Sequence, residues 1–308
     1  MTRRDRIPYS FTRYLAAKKS VDDRALNEHI WQLLQRTLAQ QPLHVLEIGA
    51  GIGTMITRVI ERQLFAAEVN YSAIDAQATN IDVARERLQE LPENFTLQLE
   101  AIDFFDFVAR EQNRQSWDLL IAHAFLDLVD LTTTLPLLFS LLKPGGLFYA
   151  TVNFDGDTIF QPEIDPAIDP FVIDLYHRTM DERIINGRPS GDSHTGRHMF
   201  GSAQAAGGQL LAAGSSDWVV FAGEKGYLAD EAYFLHFIVH TMQEALQGHS
   251  ELDSSLFDAW IAQRHAQIEA GTLVYIAHQL DFLVPVSYTH LTLPTTIKPC
   301  RSRWSPYH

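Results

Sequence analysis

Val45-Leu46-Glu47-Ile48-Gly49-Ala50-Gly51-Ile52-Gly53-Thr54 is the stretch that decides the fold. A short apolar run holding one acid leads into a glycine-rich turn, and helical spacing begins directly behind it. Glycines there permit dihedrals that a Cβ forbids and let the backbone approach a ligand closely. The helix that follows offers unpaired N–H groups and the positive end of its dipole, worth ~0.3–1 kcal/mol to a nearby anion. A carboxylate or a phosphate suits such a turn.

Outward from it, short apolar runs at 43–48, 69–74, 95–101, 117–123 and 146–152 alternate with helical patterns at 54–64, 77–90 and 133–142. That rhythm predicts a parallel sheet with helices on both faces. Leu119-Leu120-Ile121-Ala122 and Leu147-Phe148-Tyr149-Ala150 have the unbroken apolar character of strands buried on both sides. Ahead of the sheet, Ser20 with Asp23 three residues on opens a helix over 21–40, which Pro42 stops.

After Asn153 the rhythm breaks. A stretch with Pro162, Asp165, Pro166, Asp169 and Pro170 leads into a helix capped by Asp169, with Pro170 at its first position and Gly187 beyond its end. Strands follow at 210–213 and 218–221, helices near 230–247 and 254–270, and a last strand at 272–283. The expected organisation is cap helices over 1–42 and one domain over 43–283. Within that domain, 154–195 is a lid insertion and 229–270 a helical insertion. From Val286 the text, Ser287-Tyr288-Thr289-His290-Leu291-Thr292-Leu293-Pro294, resembles a translated adaptor or vector segment, so 284–308 is read as a non-native or disordered tail.

The 308 residues carry 24 Lys and Arg against 38 Asp and Glu, a formal charge of -14 that repels a phosphate backbone. Nucleic acid is therefore excluded as the first partner. Cys300 is the only cysteine, which removes disulfide frameworks, cysteine zinc sites and iron–sulfur clusters, and suits a reducing cytoplasm. The basic start Met1-Thr2-Arg3-Arg4-Asp5-Arg6 runs into Ile7-Pro8-Tyr9-Ser10 without an apolar region, and no run of about 18 apolar residues follows. Neither a signal peptide nor a membrane span is expected.

Two ligand classes compete for the glycine turn. The dinucleotide fingerprint G-x-G-x-x-G needs glycine where this chain has Thr54, which leaves an NAD(P)-dependent oxidoreductase as the alternative enzyme. E-x-G-x-G-x-G over 47–53 instead resembles motif I of the class I S-adenosylmethionine-dependent methyltransferases. Asp75 at the end of the second strand, Asp103-Phe104 at the end of the third, and Leu141-Leu142-Lys143-Pro144-Gly145-Gly146 before the fifth extend the resemblance over 43–153.

The resemblance implies a Rossmann-like α/β fold, a doubly wound and mostly parallel seven-stranded sheet with a late antiparallel strand. It also implies S-adenosylmethionine as cofactor, surrounded by Glu47, Gly49, Ala50, Gly51, Gly53, Asp75, Ala76, Asp103, Phe104 and His123, with Asp75 on the ribose hydroxyls and Asp103 on the adenine amine. Apart from any family, a carboxylate behind each of two strands accepts hydrogen bonds from a diol and an amine. Either acid also serves equally as a helix cap.

Methyl transfer requires alignment, exclusion of water and, at a hydroxyl, removal of a proton. The body lacks cysteine, and His123-Ala124-Phe125-Leu126-Asp127 stands where amino-methylating nucleic acid enzymes carry an Asn-Pro-Pro-Tyr type motif. A small-molecule acceptor, methylated at O or N, is the expected partner; a non-catalytic S-adenosylmethionine-binding scaffold is the reading from another class. His123 sits at a strand end where parallel sheets collect site residues, and serves as well as a core histidine.

Asp174, His177 and Asp181 share one helix face, but the spacing of Arg178 to Asp174 and Glu182 suits ordinary ion pairs, so no metal is expected. Gly191-Asp192-Ser193-His194-Thr195-Gly196-Arg197-His198 is the densest polar cluster. Its histidines lack the glutamate of a helical zinc motif, and Asp192 or Ser193 suits a helix cap. His123, His177, His194 and Arg197 are the expected catalytic set. Tyr14, Tyr176 and His198 are expected to line the substrate lid, with Lys18 and Arg24 closing the other side.

Overall fold

The computed structural model describes residues 9–38, 42–111, 114–185 and 187–286. Two helices come first, α1 (Phe11–Ala25) and α2 (Glu28–Thr37). Then β1 (Leu43–Ile48), α3 (Thr54–Glu61), β2 (Val69–Asp75), α4 (Ala78–Arg87), β3 (Phe95–Ala101), α5 (Phe104–Glu111), β4 (Trp117–His123), α6 (Leu131–Leu141) and β5 (Leu142–Gln161) alternate. α7 (Ile168–Asp181), a two-residue hairpin β6 (Ile184–Ile185) and β7 (Arg188–Pro189), and α8 (Thr195–Ala205) follow. The chain closes with β8 (Ala212–Ser215), β9 (Trp218–Val220), α9 (Glu231–Leu246), α10 (Ser254–Glu269) and β10 (Val274–Pro285).

The main sheet runs β3-β2-β1-β4-β5-β10-β8, with β9 also on β10, eight strands in all. The first five are parallel, and β10 is antiparallel to β5, β8 and β9. This is the doubly wound α/β arrangement, with eight strands where the resemblance implies seven, since the two short strands read at 210–213 and 218–221 both join it on β10. Order reverses between β1 and β4, and open sheets place ligands at the carboxyl ends beside that switch point.

Period-two alternation sends neighbours of one strand into two cores. Val45, Leu119, Ile121 and Tyr149 pack with α1, α2, α3 and α9 through residues such as Val21, Trp31, Ile56 and Phe234. Leu46, Leu120, Ala122 and Phe148 face α5, α6 and α8 through Phe107, Leu138 and Met199. All of these are buried. No helix among the described residues is long and apolar enough to cross a membrane.

Four local expectations change. The helix read at 21–40 is two helices: Ser20 lies inside α1, Ser10 caps α1, and Asn27 caps α2 by accepting from the Ile30 amide. Residues 154–161, read as the start of the lid, instead continue β5 along β10. Asp169 lies in the first turn of α7, where its carboxylate receives Arg264 at 2.7 Å and the Ile164 amide at 2.8 Å. The tail boundary moves as well. Val284 pairs with Phe148, and the Val286 amide donates to the Gly146 carbonyl, so the ordered sheet reaches 286. Residues 287–308, Cys300 among them, lie outside the described residues.

Candidate active site

A cleft of about 460 Å³ opens at the carboxyl ends of β1, β2 and β4. Its floor is the glycine turn, where Gly49, Gly51 and Gly53 have φ of 68°, 55° and 77°. These values lie in the left-handed region that side chains other than glycine rarely adopt. A Cβ at Gly49 would meet Phe125 Cδ2 at 2.8 Å, and one at Gly53 would meet Leu88 Cδ1 at 2.7 Å. The turn is therefore glycine for conformation and for space together.

The turn is tied to Asp75. The Gly51 amide donates to one carboxylate oxygen at 2.9 Å, while the Gln77 amide and the Asn80 side chain donate to the other at 2.8 and 3.1 Å. Asp75, Ala76, Gly49 and Phe125 line both the cleft and an adjoining cavity of about 90 Å³. That smaller cavity is closed by Ile102, Asp103 and Phe104. Asp103 caps α5 by accepting from the Phe105 amide at 2.8 Å. Glu47 is buried beneath the turn and accepts from the Tyr71 hydroxyl at 2.7 Å; burial pushes its carboxyl up to about 8, so it is largely protonated at neutral pH.

α1 forms the opposite wall through Phe11, Tyr14, Leu15, Lys18 and Asp22. Asp22 is the centre of a buried network. Its Oδ2 receives Lys18 Nζ at 2.6 Å and His123 Nε2 at 2.9 Å, and its Oδ1 receives the Trp218 indole N–H at 2.9 Å. Although burial opposes ionisation, Lys18 and His123 hold the Asp22 carboxyl well below the usual range. His123 completes a chain to Thr151, whose Oγ1 lies 2.7 Å from Nδ1. Burial lowers the imidazole to about 4 against the pull of Asp22. A neutral ring with Nε2–H on the carboxylate then accepts the Thr151 hydroxyl at Nδ1, which leaves neither nitrogen free.

Beside Thr151, Val152 has φ 57°, an outlier for a β-branched residue. Its amide donates to Asp281 Oδ1, whose other oxygen takes the Asn27 amide, both at 2.8 Å. The same buried acid thus fixes the bulge in β5 and the start of α2, and burial pushes it up to about 6.

The structure brings Tyr14, Glu47, Gly49, Ala50, Gly51, Asp75, Ala76 and His123 to the cleft, and Asp103 and Phe104 to its annex. Gly53 lies behind, against Leu88. His177, His194, Arg197, His198 and Tyr176 do not line it. His177 is buried on Thr158 at 3.1 Å and against Phe154. Arg197 binds Asp155 through its amide and side chain, His194 Nδ1 meets Ser193, and His198 meets Asp192 at 2.6 Å.

Arg197 and His198 open instead onto a separate groove between α6 and α8. Arg178 pairs with Glu251, not with the acids of its own helix. Asp181, Asp192 and His194 have ligand atoms within 4.8 Å of one another. Their oxygens already accept the Ser193 and His194 amides.

Asp22, Asp127 and Trp218 belong to the cleft but were absent from the expectations. The i, i+4 spacing of Lys18 and Asp22 is the same as in a solvated helix pair, and only burial sets them apart. Asp127 stands four residues after the strand-end histidine, and that position was the one available signal.

Residues 46–148 match the family model described as a methyltransferase domain. No curated protein sequence matches the chain. Among solved structures, phosphoethanolamine N-methyltransferase 2 of Haemonchus contortus is 13% identical over 90% of this chain, with a TM-score of 0.46; the chain spans 57% of that protein. A putative sarcosine dimethylglycine methyltransferase from Galdieria sulphuraria is 14% identical over 90% of this chain and 85% of its own, with a TM-score of 0.40. A cyclopropane synthase from Mycobacterium tuberculosis is 11% identical over 90% of this chain and 99% of its own, at 0.46. Over residues 46–148 the chain is thus similar to a methyltransferase domain.

Proposed function

We propose that the cleft binds S-adenosylmethionine and that the protein transfers its methyl group to O or N of a small-molecule acceptor. One observation carries the reading. Asp75, pinned by the glycine turn, stands where a 460 Å³ cleft meets a 90 Å³ annex walled by Phe104, Phe125 and Asp103. A nucleoside needs that combination: an acceptor for a vicinal diol at the junction and a flat apolar slot with a carboxylate at its rim. A Cβ at Gly49 would press on Phe125, which lines both the cleft and its annex, so the residues present fit the group.

Glu47, Gly49, Ala50, Gly51, Asp75 and Ala76 would hold the ribose side, with Gly53 shaping the turn from behind, and Asp103 and Phe104 the adenine. S-adenosylmethionine supplies an electrophilic methyl group when bound. The chain's own part is to bind, align and keep water out. Lys18, Asp22 and His123 act as one rigid wall, with His123 a positioning residue because both of its nitrogens are engaged. Tyr14 stacks on Phe237 at 4.3 Å and closes the outer side.

The test is calorimetry with S-adenosylmethionine, S-adenosylhomocysteine, NAD and NADP, followed by a labelled methyl donor offered to pools of small alcohols and amines. Binding and a rise in melting temperature are expected with the first two alone, because a ligand of the native state stabilises it by mass action. Stabilisation by a nicotinamide dinucleotide alone would sink the reading.

A further inference from the structure

Asp127 stands apart from the other acids of the cleft. It follows β4 on the 3-10 turn Leu126–Leu128, and it lines the cleft beside Leu128 and opposite Tyr14 and Lys18. Asp22 and Asp75 have their oxygens engaged by Lys18, His123, Trp218 and amides, and Glu47 is held by Tyr71. Asp127 Oδ1 is buried and has no hydrogen-bond partner among the described residues. A buried carboxylate oxygen without a donor costs free energy comparable to a lost charged hydrogen bond, so a donor brought to it from the cleft that Asp127 lines would be favoured.

The charge around it selects the donor. Lys18 is the only lysine or arginine among the lining residues, against Asp22, Asp75 and Asp127, while Glu47 keeps its proton at neutral pH. Lys18 is already committed to Asp22 at 2.6 Å. Arg183 reaches this segment, but its guanidinium donates to the Asp127 carbonyl at 3.2 Å, leaving the carboxylate alone. Lys18, Arg183 and Asp192 are the charged groups whose fields reach Asp127, and burial holds its carboxyl above the ordinary range. An acidic, aromatic cleft of this kind favours a cation. At its mouth Phe11 and Leu128 are 52% and 46% exposed, an apolar flank for the rest of the ligand.

We propose that Asp127 is the acceptor-facing carboxylate and that the acceptor is an amine with an apolar substituent, held as its ammonium by the free Oδ1. This rests on the methyl-transfer reading above. One ammonium proton passes to Asp127, and the freed nitrogen lone pair forms the N–C bond. The methyl C–S bond breaks with its electron pair going to sulfur, leaving a methylated ammonium and a protonated Asp127 that returns its proton to solvent.

The experiment uses the full chain saturated with S-adenosylhomocysteine and titrates n-octylamine, n-octanol and octyltrimethylammonium by calorimetry. Octylamine should bind at least about tenfold more tightly than octanol and than the quaternary ion, which has no N–H. Asp127→Asn should abolish that preference while leaving S-adenosylhomocysteine affinity within about threefold, and Asp127→Glu should restore part of it. Equal binding of the three probes, or a preference that survives in Asp127→Asn, overturns the proposal. A fall in S-adenosylhomocysteine affinity in Asp127→Asn also overturns it, by assigning Asp127 to the donor. Failure of the wild-type chain to bind S-adenosylhomocysteine is a different result, the failure of the methyl-transfer reading itself.

Discussion

Two polar clusters in this molecule look alike in composition and differ in what they leave over. At the cleft, Lys18, Asp22, His123 and Thr151 are buried and joined by bonds of 2.6–2.9 Å, and beside them one oxygen of Asp127 has no donor. At the start of α8, Asp181, Asp192, Ser193, His194, Arg197 and His198 are also joined, but each acceptor already has a protein donor. The first cluster stands at the carboxyl ends of parallel strands. The second fastens α7, β5 and α8 together. A dense set of titratable groups becomes a binding site where the fold supplies one partner too few, and becomes a staple where it supplies them all.

The sharpest way to break this contrast is to remove the centre of the first cluster. Asp22→Ala leaves Lys18, whose side chain is 7% exposed, without its counter-charge and the Trp218 N–H without an acceptor. A loss of about 3–5 kcal/mol is expected, the cost of stranding a buried charge. Urea unfolding measures it, and a change below 1 kcal/mol would mean that the network is not a unit.

Gly51→Val probes the turn itself. At φ 55° a β-branched side chain is strained by about 1–3 kcal/mol, and its Cβ would stand 3.1 Å from Leu15. The melting-temperature rise given by S-adenosylmethionine should vanish, while the far-ultraviolet circular dichroism stays the same. A retained shift would place the donor elsewhere.

Protonation separates the clusters at a smaller scale, about 1 kcal/mol over the first unit of pH. Folded His123 titrates near 4 instead of 6.5, so the unfolded chain binds more protons between those values. Stability from this group is complete above 6.5 and is lost as pH falls toward 4. Glu47 has the opposite sign. Folded, it holds its proton from 4.5 up to about 8, so its contribution is complete below 4.5 and is lost as pH rises through 8. Between pH 5 and 6.5 the two slopes oppose and cancel, so unfolding free energies should be level there and fall from 6.5 to 8, and Glu47→Gln should remove that alkaline fall and uncover the rise from pH 5 to 6.5 that His123 supplies. An unchanged alkaline limb in that variant would exclude Glu47 as its source.

How far the sequence reached follows from the range of the signals. The turn at 49–53 was readable because positive φ demands glycine locally, and the strands because burial on both faces leaves unbroken apolar runs. Asp75 and Asp103 were readable by position as strand-end acids, and both accept backbone amides there. Asp22 was not, since Lys18–Asp22 spacing is identical in a solvated pair; the strand end His123 and the distant Trp218 that bury it are 101 and 196 residues away. The break at Leu26–Asn27 was hidden for the same reason, because Asn27 answers to Asp281, 254 residues on. The polar run 191–198 drew attention as a local density, whereas its meaning lies in Asp155 and Asp181, supplied by other elements.

The smallest expected effect tests the second cluster directly. His198 has its side chain 57% exposed and Arg197 52% exposed, and their partners Asp192 and Asp155 belong to the scaffold. An exposed ion pair is worth about 0.2–1 kcal/mol, since water and salt screen it and two long side chains lose freedom. His198→Ala should therefore cost under about 1 kcal/mol in urea unfolding, and Arg197→Ala about 1–3 kcal/mol, because Asp155 is buried and would keep only the backbone amide at position 197. The dissociation constant for S-adenosylhomocysteine should stay within about twofold, as should the preference for octylamine, because neither side chain lines the cleft. If either variant lost acceptor binding while keeping the donor, α8 would have to close over the cleft during turnover. The cluster called a staple would then be the lid, and the contrast between the two regions would reduce to one of timing.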